Sequence, residues 1–124
     1  MAQTILEFRM EQNKHEAIAE ICERLGIQTI EVPRRDYAQK IGALAGIAGF
    51  QREKKIYGGP ELPAEMLVFS GMNSDQLDAF LAEYRACGLP VIGLKAVITA
   101  DNVFWDVEML FQELLSEHMK MPRK

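Results

Sequence analysis

The fold is decided by residues 65–105, which read EMLVFSGMNSDQLDAFLAEYRACGLPVIGLKAVITADNVFW. The stretch opens on an unbroken apolar run at residues 66–69, which is typical of a strand buried on both faces. Asn73 then begins a capping box ahead of an amphipathic segment, and this pattern predicts a helix that ends at Gly88. A second apolar run follows at residues 91–97. The stretch therefore predicts one strand–helix–strand unit.

The N-terminal part of the chain repeats this layout in a weaker form. An apolar segment at residues 4–10 precedes a helical pattern that Asn13 would cap, and Gly26 ends that pattern before an apolar segment at residues 27–32. In each copy a further helix is predicted after the second strand. We therefore predict one domain over residues 1–124. Its predicted parts are a first repeat at residues 3–46, a linker at residues 47–64 and a second repeat at residues 65–119.

Strands that alternate with helices predict parallel strand–helix–strand units joined by right-handed crossovers. Two such units placed side by side by a pseudo-twofold axis give a four-stranded, mostly parallel sheet with the strand order 2-1-3-4. Helices would cover both faces, which makes a three-layer α/β fold. An α+β sandwich with one strand reversed is the alternative.

Composition narrows the classes of partner. The chain carries a net charge of -4, and we therefore expect neither nucleic acid nor an anionic membrane as a partner, since binders of nucleic acid usually present a basic face. No apolar run approaches the roughly 18 residues of a spanning helix, and the first ten residues lack the pattern of a secretory signal. We expect a cytoplasmic protein. Cys22 and Cys87 occupy apolar positions of predicted helices, and we expect both to be buried and reduced.

The predicted sheet places a candidate site where its strand order reverses, beyond the carboxyl ends of the first and third strands. Helix N-termini aimed there would favour a small anionic ligand, and Arg9, Arg34, Arg35 and Lys95 would add a cationic rim. The alternative is that these charges simply mark exposed strand ends. The candidate ligand-binding residues are Arg9, Ser70, Gly71, Asn73, Lys95, Thr99 and Asn102.

The sequence gives less support to a metal site, a cofactor or a catalytic residue. No His, Cys, Asp or Glu group has the spacing of metal ligands, so we predict neither a metal site nor a cofactor. We expect His15 and His118 on exposed helix faces, which leaves Ser70 without a general base. Glu7, inside the first strand, is expected at an edge or in solvent. Lys95 follows apolar residues and would have a lowered pKa if desolvated, although a lysine that reaches out to solvent is the simpler interpretation.

The last predicted helix is apolar around more than half of its surface, whereas a helix that covers one sheet face needs a single stripe. The excess predicts a homodimer, and a deeply buried helix is the alternative. The candidate interface residues are Trp105, Phe111, Leu114 and Leu115.

The second repeat also carries a pattern of the form F-S-G … L-K-A-V-x-T … N-x-x-W, beginning at Phe69 and ending at Trp105. Over about residues 63–118 the chain resembles a family of small bacterial proteins that is defined only as a domain of unknown function. The resemblance implies no activity. The positions that fit its motif are Ser70, Gly71, Lys95, Thr99, Asn102 and Trp105.

These patterns together predict a non-enzymatic binding or regulatory module with an anion site at the carboxyl edge of the sheet. Two alternatives remain open. One is a small enzyme that acts on an anionic substrate with Lys95 as base or electrostatic group. The other is a structural module that binds a protein partner through the last helix.

Overall fold

The computed structural model describes residues 3–120, with side chains up to residue 118. The two halves of the chain share one order of elements: strand, helix, strand, helix. The elements are β1 (Thr4–Phe8), α1 (Gln12–Leu25), β2 (Gln28–Val32), α2 (Ile41–Leu44), β3 (Met66–Ser70), α3 (Ser74–Ala86), β4 (Leu94–Val97) and α4 (Val107–Lys120), with 3-10 turns at Arg34–Asp36 and Asn102–Phe104.

The four strands form one sheet in the order β2-β1-β3-β4. β1 pairs in parallel with β2, and β3 pairs in parallel with β4, so the predicted strand order and mostly parallel pairing are confirmed. The central pair, β1 with β3, is antiparallel. The carboxyl ends of β1 and β2 therefore lie at one edge of the sheet, and those of β3 and β4 lie at the opposite edge.

The register fits a pseudo-twofold axis perpendicular to the sheet. Thr4 pairs with Ser70 and Leu6 pairs with Val68, so a half-turn about the centre of this pairing brings β1 onto β3 and Arg9 onto Gly71. Both of these positions have left-handed backbone, with φ of 56° at Arg9 and 71° at Gly71. The glycines that end α1 and α3, at 26 and 88, also share one φ value of 73°. The two halves thus match in backbone conformation as well as in order.

Arg9 has a left-handed backbone conformation, and the equivalent residue of the second half is Gly71. A left-handed residue with a Cβ costs about 1–2 kcal/mol, part of which is offset by the greater freedom of glycine in the unfolded chain. Arg9→Gly is therefore expected to raise the free energy of unfolding by about 0.5–1 kcal/mol. Urea denaturation measures this difference. Arg34→Gly is the control, since Arg34 lies in a right-handed turn, and it should not gain stability. Equal effects of the two substitutions would contradict the strain at Arg9.

Helices cover both faces of the sheet. α1 and α3 pack on one face in a cluster that includes Ile5, Ile18, Ile21, Leu67, Phe69 and Phe80. The opposite face packs against α4, α2 and the long connection before β3, in a cluster that includes Phe8, Tyr37, Ile41, Leu62, Val68 and Phe111. This arrangement gives the predicted three layers, because the central strands carry apolar side chains on both faces.

Local signals predicted the second half better than the first. The capping box of α3 is confirmed: Asn73 Oδ1 accepts from the Gln76 backbone N–H, and the Asn73 N–H donates to Gln76 Oε1, both at 2.9 Å. The predicted cap at Asn13 is wrong, because α1 begins at Gln12 and Asn13 already lies inside its first turn. The helix predicted after the second strand is present but short. A 3-10 turn precedes it, and α2 itself has four residues.

The two cysteines differ in burial. Cys22 is buried as predicted, but Cys87 is exposed, because it lies at the C-cap of α3 where the helix leaves the core.

Residues 46–65 contain neither helix nor strand. They are nevertheless tied to the domain, since the Gln39 side chain bonds the backbone N–H and C=O of Glu53. No helix within residues 3–120 is long and apolar enough to cross a membrane.

Candidate functional site: a charged cleft

A cleft of about 310 Å³ opens where β1 and β2 end. It is lined by side chains of both signs, and Pro33 and Val32 contribute apolar wall. We call it the charged cleft, and its charged and polar lining residues are Glu7, Arg9, Glu31, Arg34, Tyr37 and Glu61.

Two glutamates that line the charged cleft stand side by side. Glu7 and Glu31 are register partners on the parallel strands β1 and β2, so their side chains leave the same face of the sheet. Glu7 is only 2% exposed. Like charges on neighbouring strands are destabilising unless a positive charge compensates them. Because Glu7 is buried on a central strand, its predicted edge or solvent position is wrong.

His15 supplies that compensation from α1. Its Nδ1 lies 2.9 Å from Glu7 Oε1 and 3.1 Å from Oε2, and its Nε2 lies 3.3 Å from Glu31 Oε1. Only the imidazolium form carries a proton on both nitrogens, so only that form donates to both carboxylates. The prediction that His15 sits on an exposed helix face is wrong, because its ring lies between two strands' carboxylates.

Burial and charge shift the titration of both partners. Burial raises the pKa of Glu7, and the hydrogen bond and charge of His15 oppose that shift only in part. Burial alone would lower the pKa of His15. The hydrogen bond that His15 donates to Glu7 and the nearby charges of Glu7 and Glu31 outweigh burial, so the pKa of His15 is raised. Perturbed groups inside a cleft are typical of functional sites.

The rim of the charged cleft carries two arginines from separate segments. Arg9 follows β1 and Arg34 begins the 3-10 turn after β2. Neither guanidinium forms a salt bridge with any residue in the described part of the chain. Opposite them, the Tyr37 hydroxyl donates to Glu61 Oε2, and burial together with this carboxylate raises the pKa of Tyr37. Among the residues that the structure describes, the rim thus offers two cations without a salt bridge.

The structure does not bring the predicted anion site together. Arg9 lies at the edge where β1 ends, while Ser70, Gly71 and Asn73 lie at the opposite edge, because β1 and β3 run antiparallel. The prediction assumed that both carboxyl ends share an edge, and that assumption is wrong. Of the predicted cationic rim, only Arg9 and Arg34 line the charged cleft.

The predicted residues of the second half have local structural roles. Asn102 Oδ1 accepts from the Thr99 backbone N–H at 2.8 Å, and Thr99 Oγ1 accepts from the Asn102 N–H at 3.1 Å. Asn102 also donates to the Val97 carbonyl, so the pair closes the turn after β4. Ser70 is buried within β3, and Gly71 supplies the left-handed turn that follows it.

Lys95 lies apart from the charged cleft, on the edge strand β4. It is half-buried, its Nζ donates to the Ile92 carbonyl at 2.6 Å, and burial lowers its pKa. It borders an apolar groove of about 500 Å³ between β4 and α3. A lysine with a lowered pKa remains compatible with catalysis, so the enzyme that acts through Lys95 stays a prediction.

The predicted interface residues divide into two groups. Phe111 is 1% exposed and belongs to the core, so its assignment to an exposed dimer surface is wrong. The side of α4 that carries it faces the sheet. Trp105, Leu114 and Leu115 are partly exposed and pack at the margin of the core. The homodimer through these three residues stays a prediction.

The fold and the cleft define a small three-layer α/β protein with a charged site at one sheet edge. Residues 65–121 match the model of a domain of unknown function (DUF3783), which confirms the resemblance predicted from the sequence. No curated protein and no solved structure matches the chain. The matched region runs from β3 to α4, whereas every residue that lines the charged cleft precedes it. The cleft therefore belongs to the part of the chain that the family model leaves out.

Proposed function

We propose that this protein is a non-enzymatic, cytoplasmic binding module that takes a small ligand with an anionic group in the charged cleft. The observation that carries the proposal is the pair of arginines, Arg9 and Arg34, that line one cleft and form no salt bridge with the side chains of residues 3–118. A guanidinium donates in a planar fork that matches a carboxylate or a phosphate, and such charge-assisted bonds are strong.

The shape of the site supports a ligand of modest size. A volume of about 310 Å³ lies at the small end of ligand pockets, which span roughly 300–1,000 Å³. The three glutamates that share the cleft disfavour a ligand that is anionic throughout. The ligand we infer therefore has an acidic end, which the arginines receive, and a cationic or hydrogen-donating end that faces the glutamates.

The backbone at Arg9 gives independent support. A residue with a side chain in the left-handed region is uncommon, and such strain persists most often at ligand sites. At the pseudo-twofold equivalent the chain has glycine, so the fold itself does not require an arginine there. Arginine at this position places a guanidinium at the rim of the charged cleft, which gives a reason for arginine rather than glycine there.

Calorimetric titration with zwitterionic amino acids, dicarboxylates and small phosphates tests this function. We expect at least one compound class to bind the full chain and to raise its melting temperature. Arg9→Gln and Arg34→Gln should each weaken that binding about tenfold or more, because each removes a charge-assisted hydrogen bond. Arg85→Gln is the matched control, since Arg85 is exposed on α3, outside the charged cleft. Absence of binding, or equal weakening by the control, would rule the anion site out.

A further inference from the structure

We propose that Glu7, His15 and Glu31 bind a divalent transition-metal ion at the base of the charged cleft. One ligand atom from each residue lies within 4.8 Å of the other two. Metal–ligand bonds of about 2.1 Å place two ligands of one ion at most about 4.2 Å apart. The cluster therefore needs to close by about half an ångström, and both carboxylates have to approach the same nitrogen of His15. The Glu31 side chain is 65% exposed and is therefore free to make this movement.

The pairing of the strands explains why positive charge is favoured at this position. Glu7 and Glu31 occupy one register position of a parallel pair, so two carboxylates project from neighbouring strands on the same face. A buried carboxylate beside a second carboxylate needs a positive charge between them. The His15 imidazolium brings one positive charge. A divalent ion that binds one ring nitrogen, in place of the proton on that nitrogen, brings two.

The donor set indicates the kind of ion. One imidazole and two carboxylates suit zinc and the neighbouring first-row divalent ions, which accept nitrogen and oxygen ligands together. Magnesium and calcium prefer oxygen ligands alone. We therefore infer a transition metal rather than an alkaline-earth ion.

The scaffold holds the three ligands from three elements. Glu7 is fixed in the central strand β1, Glu31 lies on β2, and His15 projects from the first half of α1, which buries Ile18 and Ile21 against the sheet. Both glutamates line the cleft, so the ion would keep a coordination position open to it. This inference goes beyond the anion site and does not depend on it, because neither Arg9 nor Arg34 is a ligand.

Titration of the full chain with Zn²⁺ alone, followed by calorimetry, tests the site. We expect one ion per chain, and we expect Glu31→Gln and His15→Gln to weaken its binding at least about tenfold. His118→Gln is the matched control, because it removes the chain's other histidine, which is exposed on α4. That variant should bind as the wild type does. Co²⁺ gives a second readout, since its visible absorption reports the ligands directly.

Two outcomes would overturn the metal site. One is the absence of Zn²⁺ binding by the wild type. The other is equal binding by wild type, Glu31→Gln and His15→Gln, which would mean an adventitious ion only. Glu31→Gln keeps the test decisive, because this exposed side chain can change without loss of the fold, which circular dichroism verifies. Arg9→Gln should retain the metal while losing the anion, so failure of one site is distinguishable from failure of the other.

Discussion

Replacing Lys14 by methionine is expected to lower the free energy of unfolding by about 3–5 kcal/mol. Lys14 Nζ donates to Glu65 Oε1 at 2.6 Å, and the two side chains are only 7% and 10% exposed. Glu65 Oε2 accepts in addition from the Glu11 backbone N–H at 3.0 Å. The pair therefore joins the start of α1 to the residue before β3. Without the ammonium group, the Glu65 carboxylate would remain buried with no counter-ion.

Chemical denaturation measures this loss, and two controls isolate its cause. Arg24→Met breaks an ion pair of the same length, 2.6 Å to Glu83, between half-exposed side chains, and it should cost less than about 1 kcal/mol. The double variant Lys14→Met with Glu65→Met should recover much of the lost stability, because an apolar pair can replace a buried ion pair. A cost below about 1 kcal/mol for Lys14→Met alone would show that water screens the pair.

The same pair predicts a pH dependence of stability. The hydrogen bond that Lys14 donates to Glu65 raises the pKa of Lys14 in the folded protein, despite the opposing effect of burial. The stabilisation is therefore complete below the ordinary lysine pKa of about 10.4, and it is lost as the pH rises through the raised value. Wild type should lose more stability than Lys14→Met over that alkaline window.

The second large effect is expected at Phe111. Its ring is 1% exposed and packs in the cluster that joins α4 to the sheet. Phe111→Ala should lower the free energy of unfolding by about 3–5 kcal/mol, since it removes a buried ring and leaves a cavity. Leu114→Ala, one turn further along α4 at a partly exposed position, should cost less than half as much. Denaturation curves for the two variants give the comparison.

This pair of variants also separates the core from the predicted interface. If Phe111 belongs to the core, Phe111→Ala destabilises the chain by the same amount at every protein concentration. A loss of stability that grows on dilution, together with a change of mass in sedimentation, would instead place Phe111 between two subunits. That result would contradict its burial within one chain.

The sequence predicted the order of the elements because it follows from short-range signals. It predicted the order of the strands because the repeat indicated two similar units side by side. The Asn73 capping box and the glycines at 26 and 88 fix where helices begin and end. The right-handed crossover then allows few placements for a parallel pair. Signals were weaker around Gly42: the stretch has helical spacing, but its glycines have low helix propensity, and only the four residues of α2 are helical there.

The family motif was clear in the sequence, and several of its polar residues bond to the backbone of their own segment. Thr99 and Asn102 bond one another to close the turn after β4, and Lys95 binds the Ile92 carbonyl. A motif alone cannot show whether a polar side chain serves a ligand or the backbone of its own turn. Only the partners of each atom, which the fold supplies, decide between the two.

The sequence by itself determined two strand–helix–strand–helix units and their order in one sheet. Tertiary structure decided that the units meet antiparallel, because the hydrophobic pattern of a strand is the same in either direction. That choice separated Arg9 from Ser70, and the charged cleft is lined by residues of the first unit together with Glu61 of the long connection. One signal was present: Leu6-Glu7-Phe8 and Ile30-Glu31-Val32 each place a glutamate between apolar residues. Only parallel pairing in register, with His15 lying between them, turned those two glutamates into one site.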